Sequence, residues 1–481
     1  MSMTKEKQRL VDEIVKELND DNFAIFAGAG LSSGAGFVDW KSLLKPIAED
    51  LDLDIEREDD LVAIAQYHCN KNMKNRAKLN QIILDELSRK VLPTKNHEII
   101  SRLPIKTIWT TNYDKLIENT LESSGKIVDV KHTNKQLILT KKNRDVVLYK
   151  MHGDVDHPSE AVLTKDDYEF YHVKMQPFIS ALSGDLATKL FLFIGFSFTD
   201  PNLDYVLSRI KITYSDDQRQ HYCLLKKVSQ LVDEAPADFE YRNRKQELFI
   251  QDLLRFGIKC IKVDEYSEIT EILEAVEKKY NRRSVFISGA ISDYSKFSKD
   301  EVENFIYQLS KELSSLGYRI ISGFGLGVGS AVISGTLENI YMGGQKLNNN
   351  QLLLMPFPQT NIGNMPIEEV WNKYREDMIY RAGISLFIFG NKIKDGKTVI
   401  SEGMLREAAI AKEFGSVVIP VGSTGYAANE IYTTIDFNEY FERFTSSKEL
   451  IKYIQLLESV KDLNEVRNII IRMINLVVRG E

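Results

Sequence analysis

The chain has 481 residues, of which 43% are hydrophobic and 27% charged, the balance of an ordinary folded protein. At this length we expect two or three domains, because single hydrophobic cores stop growing at about 250–300 residues. The net charge of −7 and the pI of 5.7 argue against a nucleic-acid-binding protein that relies on general electrostatic attraction. The sequence contains neither a signal-peptide pattern nor an apolar run long enough to span a bilayer, so we expect a cytoplasmic protein without membrane contact.

The sequence contains three cysteines, Cys69, Cys223 and Cys260, and no Cys-x-x-Cys pair. A four-thiolate zinc site needs one cysteine more than the chain has. We therefore expect no zinc, no other metal site and no disulfide framework.

In the first half of the chain, short apolar runs alternate with helical patterns. Leu10, Ile14 and Leu18 recur at helical spacing and predict an amphipathic first helix. Continuous apolar runs are typical of strands buried on both faces, and they predict a parallel sheet flanked by helices. These runs lie at 23–26, 107–110, 146–151, 190–194, 222–225 and 258–263, and residues 45–105 predict a helical insertion.

The strand pattern restarts after residue 282, which predicts two domains, 1–282 and 283–481. Strands of the second domain are predicted at 284–288, 318–321, 351–355, 384–389 and 416–421. Ser446 and Glu449 have the spacing of a capping box, and helical spacing continues from there to the end of the chain. The sequence thus predicts a second α/β domain followed by terminal helices.

The first candidate site begins at a glycine turn that follows the 23–26 run. Gly28 and Gly30 alternate there with alanines, and Ser32 follows. Because glycine has no Cβ, such a turn allows backbone N–H groups, here those of Ala29 and Gly30, to approach a diphosphate at a helix N-terminus. Taken alone, the pattern also fits a tight turn that binds nothing.

Three further segments follow predicted strands and should meet at the same sheet edge. Residues 110–114 contain Asn112 and Asp114, which fit either a site or a helix start with Thr111 and Asp114 at capping-box spacing. His152 fits either a hydrogen-bonded structural residue or a base. Residues 194–201 place Gly195 and Ser197 on a turn, while Asp200 and Pro201 have the pattern of an N-cap and a first helical residue.

In this order and spacing, the four segments resemble the nucleotide-binding core of the sirtuin family over about residues 5–265. The resemblance implies a Rossmann-type parallel sheet that binds NAD and cleaves its nicotinamide–ribose bond. It implies that Asn112 positions a nucleophile or water beside the ribose and that His152 is the general base, since an imidazole with the usual pKa of about 6.5 accepts protons at neutral pH. The NAD-binding positions it implies are Ala27, Gly28, Ala29, Gly30, Ser32, Asp114, Gly195 and Ser197.

The sequence departs from the sirtuin deacylases in two respects. It cannot build their four-cysteine zinc module, and residues 38–41 stand where deacylases carry an Asp-Phe-Arg segment. Both departures concern the peptide substrate, so water becomes the expected acceptor and the expected activity is NAD glycohydrolysis. A deacylase, and a non-catalytic NAD-responsive regulator in which Asn112 and His152 are structural, are the alternatives.

The second candidate site is a loop with four alternating glycines at 323, 325, 327 and 329. This number exceeds what a turn requires and predicts a phosphate or nucleotide site. Arginine suits phosphate and glutamate suits hydroxyls, although for each charged residue alone a solvated surface is the simpler interpretation. The predicted ligand contacts are Gly289, Gly323, Gly325, Leu326, Phe357, Arg375, Lys392, Gly403 and Glu407.

This half resembles the SLOG superfamily of Rossmann-like domains. Hydrolases of that superfamily carry a Pro-Gly-Gly-x-Gly-Thr signature that residues 400–407 lack, so we expect a ligand sensor. A sirtuin-like domain fused to a SLOG domain resembles the Thoeris antiphage effectors. That resemblance implies activation of NAD hydrolysis by a cyclic ADP-ribose isomer made by a TIR-domain partner, a homotetramer, and antiviral defence through NAD depletion.

Overall fold

The computed structural model describes residues 3–294, 296–442, 444 and 448–479. The described chain divides into two compact units, Met1–Glu277 and Lys278–Glu481. Each unit is built on a parallel β-sheet with helices around it, so the predicted α/β class is confirmed. Within the described residues, no helix combines the length and the apolar composition that a bilayer crossing requires.

The sheet of the first unit contains, among the described residues, seven parallel strands in the order β3-β4-β2-β1-β5-β6-β7. They are β1 (Phe23–Ala27), β2 (Thr107–Thr110), β3 (Val128–Lys131), β4 (Val146–Lys150), β5 (Leu190–Ile194), β6 (His221–Lys226) and β7 (Ile258–Val263). All six predicted strands are confirmed. Sequence analysis missed β3, a four-residue edge strand in which charged Asp129 and Lys131 interrupt the apolar pattern.

Helices fill the connections of the first unit. They are α1 (Lys5–Asn19), α2 (Ala29–Ser33), α3 (Trp40–Glu49), α4 (Leu61–Lys71), α5 (Ala77–Leu87), α6 (Lys95–Arg102), α7 (Leu116–Ser123), α8 (Asn134–Leu137), α9 (Lys165–Lys174), α10 (Gln176–Thr188), α11 (Pro201–Tyr214), α12 (Pro236–Leu254) and α13 (Ser267–Asn281), with 3₁₀ turns at Ile55–Arg57, Pro158–Glu160 and Ser215–Asp217. The amphipathic first helix is confirmed, since Leu10, Ile14 and Leu18 are buried. The predicted helical insertion is also confirmed, and α3, α4 and α5 share a hydrophobic core of their own.

The second unit has a parallel sheet in the order β10-β9-β8-β11-β14. Its strands are β8 (Ser284–Ala290), β9 (Arg319–Ser322), β10 (Leu352–Leu354) and β11 (Ile384–Phe389), then the antiparallel hairpin β12 (Asn391–Lys394) and β13 (Lys397–Ile400), and β14 (Val417–Pro420). The five predicted strands are confirmed. The hairpin was missed, although Asp395-Gly396 between its strands is a strong hairpin signal and both residues have positive φ, 51° and 74°.

The helices of the second unit include two that close its core. The helices are α14 (Lys299–Ser315), α15 (Gly329–Met342), α16 (Ile367–Ile379), α17 (Glu402–Glu413), α18 (Tyr426–Thr433), α19 (Phe437–Glu442), α20 (Glu449–Ser459) and α21 (Leu463–Arg479), with a 3₁₀ turn at Gly422–Thr424. Buried Ile454 of α20 and Ile470 of α21 belong to the same core as Ile287 of β8. The terminal helices therefore pack on this unit, while Ser446 of the predicted capping box lies outside the described residues.

The position of β1 determines where a ligand can enter the first unit. Its neighbours are β2 on one side and β5 on the other. The chain passes from β1 to β2, continues on that side to β4, and then crosses to β5 on the opposite side of β1. Such a reversal opens a crevice at the carboxyl ends of the strands. The predicted site segments follow β1, β2, β4 and β5 and therefore meet at this edge.

A backbone-to-backbone contact closes the floor of this crevice. The Gly195 carbonyl accepts a hydrogen bond of 2.9 Å from the Gly30 N–H, and the Gly28 N–H donates to the Ile194 carbonyl at 2.9 Å. Gly195 has φ of +64°, and a Cβ there would overlap the backbone nitrogen of Leu31. A Cβ on Gly30 would lie 2.8 Å from the Cα of Gly195. The glycines of both loops are therefore required by the packing of one loop on the other.

We expect Gly195→Ala to lower the free energy of unfolding by about 2–4 kcal/mol, because it adds a steric overlap to a left-handed backbone conformation. Chemical denaturation measures the change. The matched control is Gly184→Ala in α10, where a Cβ meets nothing within 4 Å; it should stabilise by about 0.5–1 kcal/mol. Equal stability of Gly195→Ala and the wild type would contradict this description of the contact.

A buried charged cluster lies beneath the same edge. Lys150, at the end of β4, is completely buried, and its ammonium is 2.5 Å from an Asp154 carboxylate oxygen and 3.2 Å from one of Glu118. It also donates to the backbone carbonyls of Tyr113 and Asp114, at 2.9 and 2.7 Å. Burial raises the pKa of Glu118 to about 7 against the opposing charge of Lys150. Burial by itself would raise the pKa of Asp154, but the charge and hydrogen bond of Lys150, the Asp156 N–H and the charge of Lys115 together outweigh it and lower that pKa.

The raised pKa of Glu118 predicts a pH-dependent stability. Its ordinary pKa is 4.5, so the native state binds the proton more tightly than the unfolded chain does. Protonated Glu118 therefore contributes its full share to the free energy of unfolding below pH 4.5. This contribution falls as the pH rises to about 7 and stays low above that. We expect Glu118→Gln to remove the fall, which is worth about 3 kcal/mol.

The check is a series of denaturation curves between pH 4.5 and 8. The matched control is Glu122→Gln, on the exposed part of the same helix α7. Parallel pH profiles for Glu118→Gln and the wild type would show that Glu118 does not titrate in this range.

Candidate active site

The crevice of the first unit is a cavity of about 760 Å³. Eight of the predicted catalytic and NAD-binding residues line it: Ala29, Gly30, Ser32, Asn112, Asp114, His152, Gly195 and Ser197. Ala27 and Gly28 lie behind the wall. Ala27 is buried at the end of β1, and its carbonyl accepts from the Thr110 hydroxyl. The fold thus brings together four segments that are up to 170 residues apart in the chain.

The backbone donors of the glycine turn are only partly available to a ligand. The Gly30 N–H is donated to the Gly195 carbonyl, so the expectation that it would bind a diphosphate is wrong. The packing between the two loops, rather than an anion, accounts for glycine at position 30. Ala29 is the first residue of the short helix α2 and is exposed to the cavity.

The Asn112 side chain is held from two directions. Its amide nitrogen lies 3.1 Å from the Gly28 carbonyl oxygen and 3.1 Å from the Ser32 hydroxyl oxygen. Its backbone N–H donates to the Thr110 hydroxyl. Asn112 is therefore buried but fixed, with its amide hydrogens used by the protein and its carbonyl oxygen left as the remaining polar atom.

The helix-start interpretation of residues 110–114 applies to Asp114 alone. Helix α7 begins at Leu116, whose N–H donates to the Asp114 carboxylate at 2.9 Å. Burial raises the pKa of Asp114, although the Leu116 N–H, the charge of Lys150 and the Ser32 hydroxyl oppose the shift. Ser32 thus connects Asp114 to Asn112, so that this buried carboxyl supports the loop in front of it.

His152 lies within hydrogen-bond distance of Asp200, which sequence analysis treated only as a helix cap. The Nε2 of His152 is 3.2 Å from an Asp200 carboxylate oxygen. The cap is confirmed as well, because Asp200 accepts from the N–H groups of Asn202 and Leu203 at the start of α11, with Pro201 as its first residue. Burial disfavours the Asp200 carboxylate, but His152 and these two N–H groups outweigh it and lower the Asp200 pKa.

Two tyrosines enclose the imidazole. The Tyr168 and Tyr171 rings meet His152 edge-on, with centroids 5.4 and 6.2 Å away. Burial, together with the charge of Asp200, raises the pKa of Tyr168 well above its ordinary value, so its phenol stays neutral. Asp200, Tyr168 and Tyr171 are the residues that sequence analysis missed, since no local pattern connects them to His152 across the fold.

The part of the cavity formed by the helical insertion combines apolar side chains with the charged residues Asp39, Lys41, Asp59 and Asp60. Trp40 packs nearly parallel to Tyr113, with ring centroids 6.2 Å apart. Phe37, Leu43 and Leu61 also line this end. Residues 38–41, which differ from the deacylase pattern, form part of this wall.

The predicted ligand site of the second unit is partly assembled. Glu407 is buried, accepts a 2.6 Å hydrogen bond from the Ser288 hydroxyl, and lies 3.5 Å from the Arg375 guanidinium. Arg375 stacks over the Phe357 ring at 5.0 Å. A solvated-surface interpretation is therefore wrong for Arg375 and Glu407. Burial raises the pKa of Glu407, while Ser288 and Arg375 oppose the shift.

Glycines surround this group at close range. A Cβ on Gly323 would lie 2.8 Å from the Phe357 ring, and one on Gly403 would lie 3.0 Å from the Arg375 guanidinium. A Cβ on Gly325 would overlap the Gly289 carbonyl oxygen. The predicted positions therefore form two groups at the carboxyl edge of β8, β9 and β11. One group contains Gly323, Phe357, Arg375, Gly403 and Glu407, and the other contains Gly289 and Gly325.

Two predicted positions lie outside these contacts. Lys392 is on β12, opposite Val399 of β13, and among the described residues its side chain has no hydrogen bond or ion pair. The Leu326 side chain is 69% exposed, and its carbonyl accepts from the Ile291 N–H. Across both units, no cluster of three or more metal-ligating side chains occurs among the described residues.

Comparison with known proteins assigns a family to each unit. Residues 106–250 match the model of the SIR2-like domain, and residues 268–477 match that of the "Sir2- and TIR-associating SLOG family". The resemblances to sirtuins and to SLOG domains are confirmed. The SLOG match begins at residue 268, close to the boundary between the two units at Glu277 and Lys278.

Relatives that align over nearly their full length share one name. The chain is 54% identical to "NAD(+) hydrolase ThsA" of Bacillus cereus (strain MSX-D12) over 444 residues, or 92% of each protein. It is 43% identical to the ThsA of Acinetobacter baumannii (strain 532279), over 97% of this chain and 98% of that protein. "Defense-associated sirtuin 2" of Bacillus subtilis is more distant, at 22% identity over 64% of this chain and 29% of that protein. The chain, in which a SIR2-like region precedes a SLOG region, therefore belongs to the ThsA family of NAD(+) hydrolases.

Proposed function

We propose that this member of the NAD(+) hydrolase family cleaves NAD to nicotinamide and ADP-ribose in the cavity of the first unit. The observation that carries the proposal is that His152, Asn112 and the glycine turn line one cavity. Its volume of about 760 Å³ is ample for a dinucleotide. The family's name, shared by relatives of nearly the same length, supports the reaction.

His152 acts as the general base in this proposal. The bond between ribose C1′ and the nicotinamide nitrogen breaks, and nicotinamide leaves with the electron pair. A water oxygen then bonds to C1′, and its proton passes to the imidazole. In the tautomer in which Nε2 donates to Asp200, Nδ1 carries the lone pair that accepts the proton. The Asp200 carboxylate stabilises the imidazolium that forms.

Asn112 holds the ribose without adding a charge. Its amide hydrogens are directed to Gly28 and Ser32, so its carbonyl oxygen is available to accept from a ribose hydroxyl. A neutral acceptor suits an oxocarbenium-like ribose, because a second carboxylate would trap the cation instead of letting water attack it. The remaining contacts to NAD come from Ala29, Ser32, Gly195 and Ser197 on the cavity wall.

Water is the proposed acceptor, in preference to an acylated lysine. The chain has one cysteine too few for the zinc module of the deacylases. Residues 38–41, Val-Asp-Trp-Lys, line the cavity where deacylases carry Asp-Phe-Arg, and Trp40 stacks on Tyr113 there. A non-catalytic regulator is disfavoured because the charged partner of His152 is buried and fixed, an arrangement that a general base requires.

We further propose that the second unit binds a cyclic ADP-ribose isomer that activates the first. Arg375 over Phe357, with Glu407 beside it, offers a cation for phosphate, a ring for the base and a carboxylate for hydroxyls. The description of the matched SLOG family as TIR-associating supports a TIR-domain protein as the source of the signal. Activation requires that the ligand bind the active arrangement more tightly than the resting one.

The biological setting follows from these two activities. We propose a cytoplasmic homotetramer that depletes NAD during infection. The name of the Bacillus subtilis relative, a defence-associated sirtuin, supports the defence role.

The base assignment predicts that His152→Ala lowers turnover by about 10²–10⁴-fold. Nicotinamide and ADP-ribose are measured after incubation with NAD, with and without cyclic ADP-ribose isomers. Asn112→Ala should also lose most of the activity. The matched control is His172→Ala, an exposed histidine on α9 that does not line the cavity. Full activity in folded His152→Ala would remove the base from the mechanism, and unchanged NAD with the wild type under every condition would refute the reaction.

The activator assignment predicts that Arg375→Ala and Glu407→Ala each raise the activator concentration needed for half-maximal NAD cleavage by about 10–100-fold, since each removes a charged hydrogen-bond partner. The matched control on the same helix as Arg375 is Lys373→Ala, an exposed residue paired with Glu369. Calorimetry with each cyclic ADP-ribose isomer gives the binding constants. Unaltered activation of both variants would place the activator elsewhere.

A further inference from the structure

The buried Lys150 cluster connects the two loops that carry Asn112 and His152. Lys150 is the last residue of β4. Its ammonium donates to the Tyr113 carbonyl in the Asn112 loop and to the Asp154 carboxylate in the His152 loop. We infer that Lys150 is a positioning residue for NAD cleavage, which holds the Asn112 loop against the His152 loop through its shared contacts. This inference rests on the proposed roles of Asn112 and His152.

On the Asn112 side, the ammonium binds the two carbonyls that follow this residue. It donates to Tyr113 at 2.9 Å and to Asp114 at 2.7 Å. The Asp114 carboxylate accepts a hydrogen bond from the Ser32 hydroxyl, and the Ser32 oxygen accepts one from the Asn112 amide. Lys150 therefore fixes the main chain of the two residues that follow Asn112.

On the His152 side, the ammonium binds Asp154, two residues further along the loop, at 2.5 Å. The second oxygen of Asp154 accepts from the Asp156 N–H, which closes the loop on itself. The Val155 N–H then donates to the same Tyr113 carbonyl that Lys150 binds, at 3.0 Å. The two loops thus share an acceptor and a cation, and neither can shift without breaking these bonds.

Stability alone is a weak explanation for this arrangement. Burying an ammonium is costly, and an apolar side chain of similar volume is often as stable or more stable in such a place. Lys150 has four acceptors for three N–H bonds, which includes Glu118 at 3.2 Å. The residue does not line the cavity, so it cannot touch NAD. Its effect on the reaction must pass through Asn112 and His152.

A buried lysine on the neighbouring edge strand provides a matched control. Lys131 of β3 is 3% exposed and is paired with Asp129 at 2.7 Å. Each carboxylate has a second cation nearby that remains when its lysine is replaced. Arg144 is 2.8 Å from Asp129, and Lys115 is 4.0 Å from Asp154. Neither Lys131 nor Asp129 lines the cavity.

The experiment compares full-length Lys150→Met, Asp154→Asn and Lys131→Met in the NAD cleavage assay. All variants are measured in the condition in which the wild-type protein cleaves NAD. We expect kcat to fall about 100-fold in Lys150→Met and at least tenfold in Asp154→Asn, since a displacement of about 1 Å in the reacting groups has an effect of this size. KM for NAD should stay within about threefold, because the cavity wall is unchanged. Lys131→Met should keep kcat within about twofold.

Thermal denaturation of all three variants separates positioning from folding. Equal losses of kcat in Lys150→Met and Lys131→Met, or a rise in KM with unchanged kcat, would overturn the inference. If Lys150→Met does not fold, Asp154→Asn decides the question, and wild-type kcat in that variant overturns the inference. The double variant should lose no more than Lys150→Met alone, because both substitutions break the same connection.

The outcome also distinguishes this inference from the proposed function. Full turnover in His152→Ala would remove the base, and with it the group that Lys150 is inferred to position. An inactive His152→Ala together with a fully active Lys150→Met would leave the mechanism in place and refute only the positioning role.

Discussion

The candidate active site depends on the contact between two backbones, that of the turn after β1 and that of the loop after β5. Gly28 and Gly30 lie against Gly195 so closely that a methyl group on Gly195 or Gly28 would overlap the opposite chain. This contact brings the ends of β1 and β5 together at the point where the sheet connections reverse. It also leaves the Gly28 carbonyl where Asn112 can donate to it. Without the contact, the crevice would have no floor and Asn112 no fixed position.

Charged groups beneath and beside this floor are arranged in two separate networks. The first is centred on Lys150, which is surrounded by carbonyls and by the carboxylates of Glu118 and Asp154. The second is the pair of His152 and Asp200, enclosed by tyrosine rings. The first network is hidden from the cavity, whereas the second faces it. This separation suits a division between holding the loops and moving the proton.

The second unit repeats the design of a glycine-rich loop at a reversal of strand order, with a different chemistry. Its β8 lies between β9 and β11, as β1 lies between β2 and β5. The residues gathered there are an arginine, a buried glutamate and an aromatic ring, which suit recognition of a phosphate and a nucleoside.

By itself, the sequence determined the two α/β units, the strands of both sheets that have continuous apolar runs, and eight of the residues that line the cavity. These features are local: a buried strand needs an apolar run, and a close backbone approach needs glycine at a given position. The tertiary structure alone decided that Gly30 gives its N–H to Gly195, that Asp200 partners His152, and that Lys150 joins two loops. Each of these depends on a contact between residues distant in the chain, which sequence spacing does not encode. The same holds for β3 and for the burial of Arg375 and Glu407, because packing against neighbouring strands and rings overrides what their local polarity suggests.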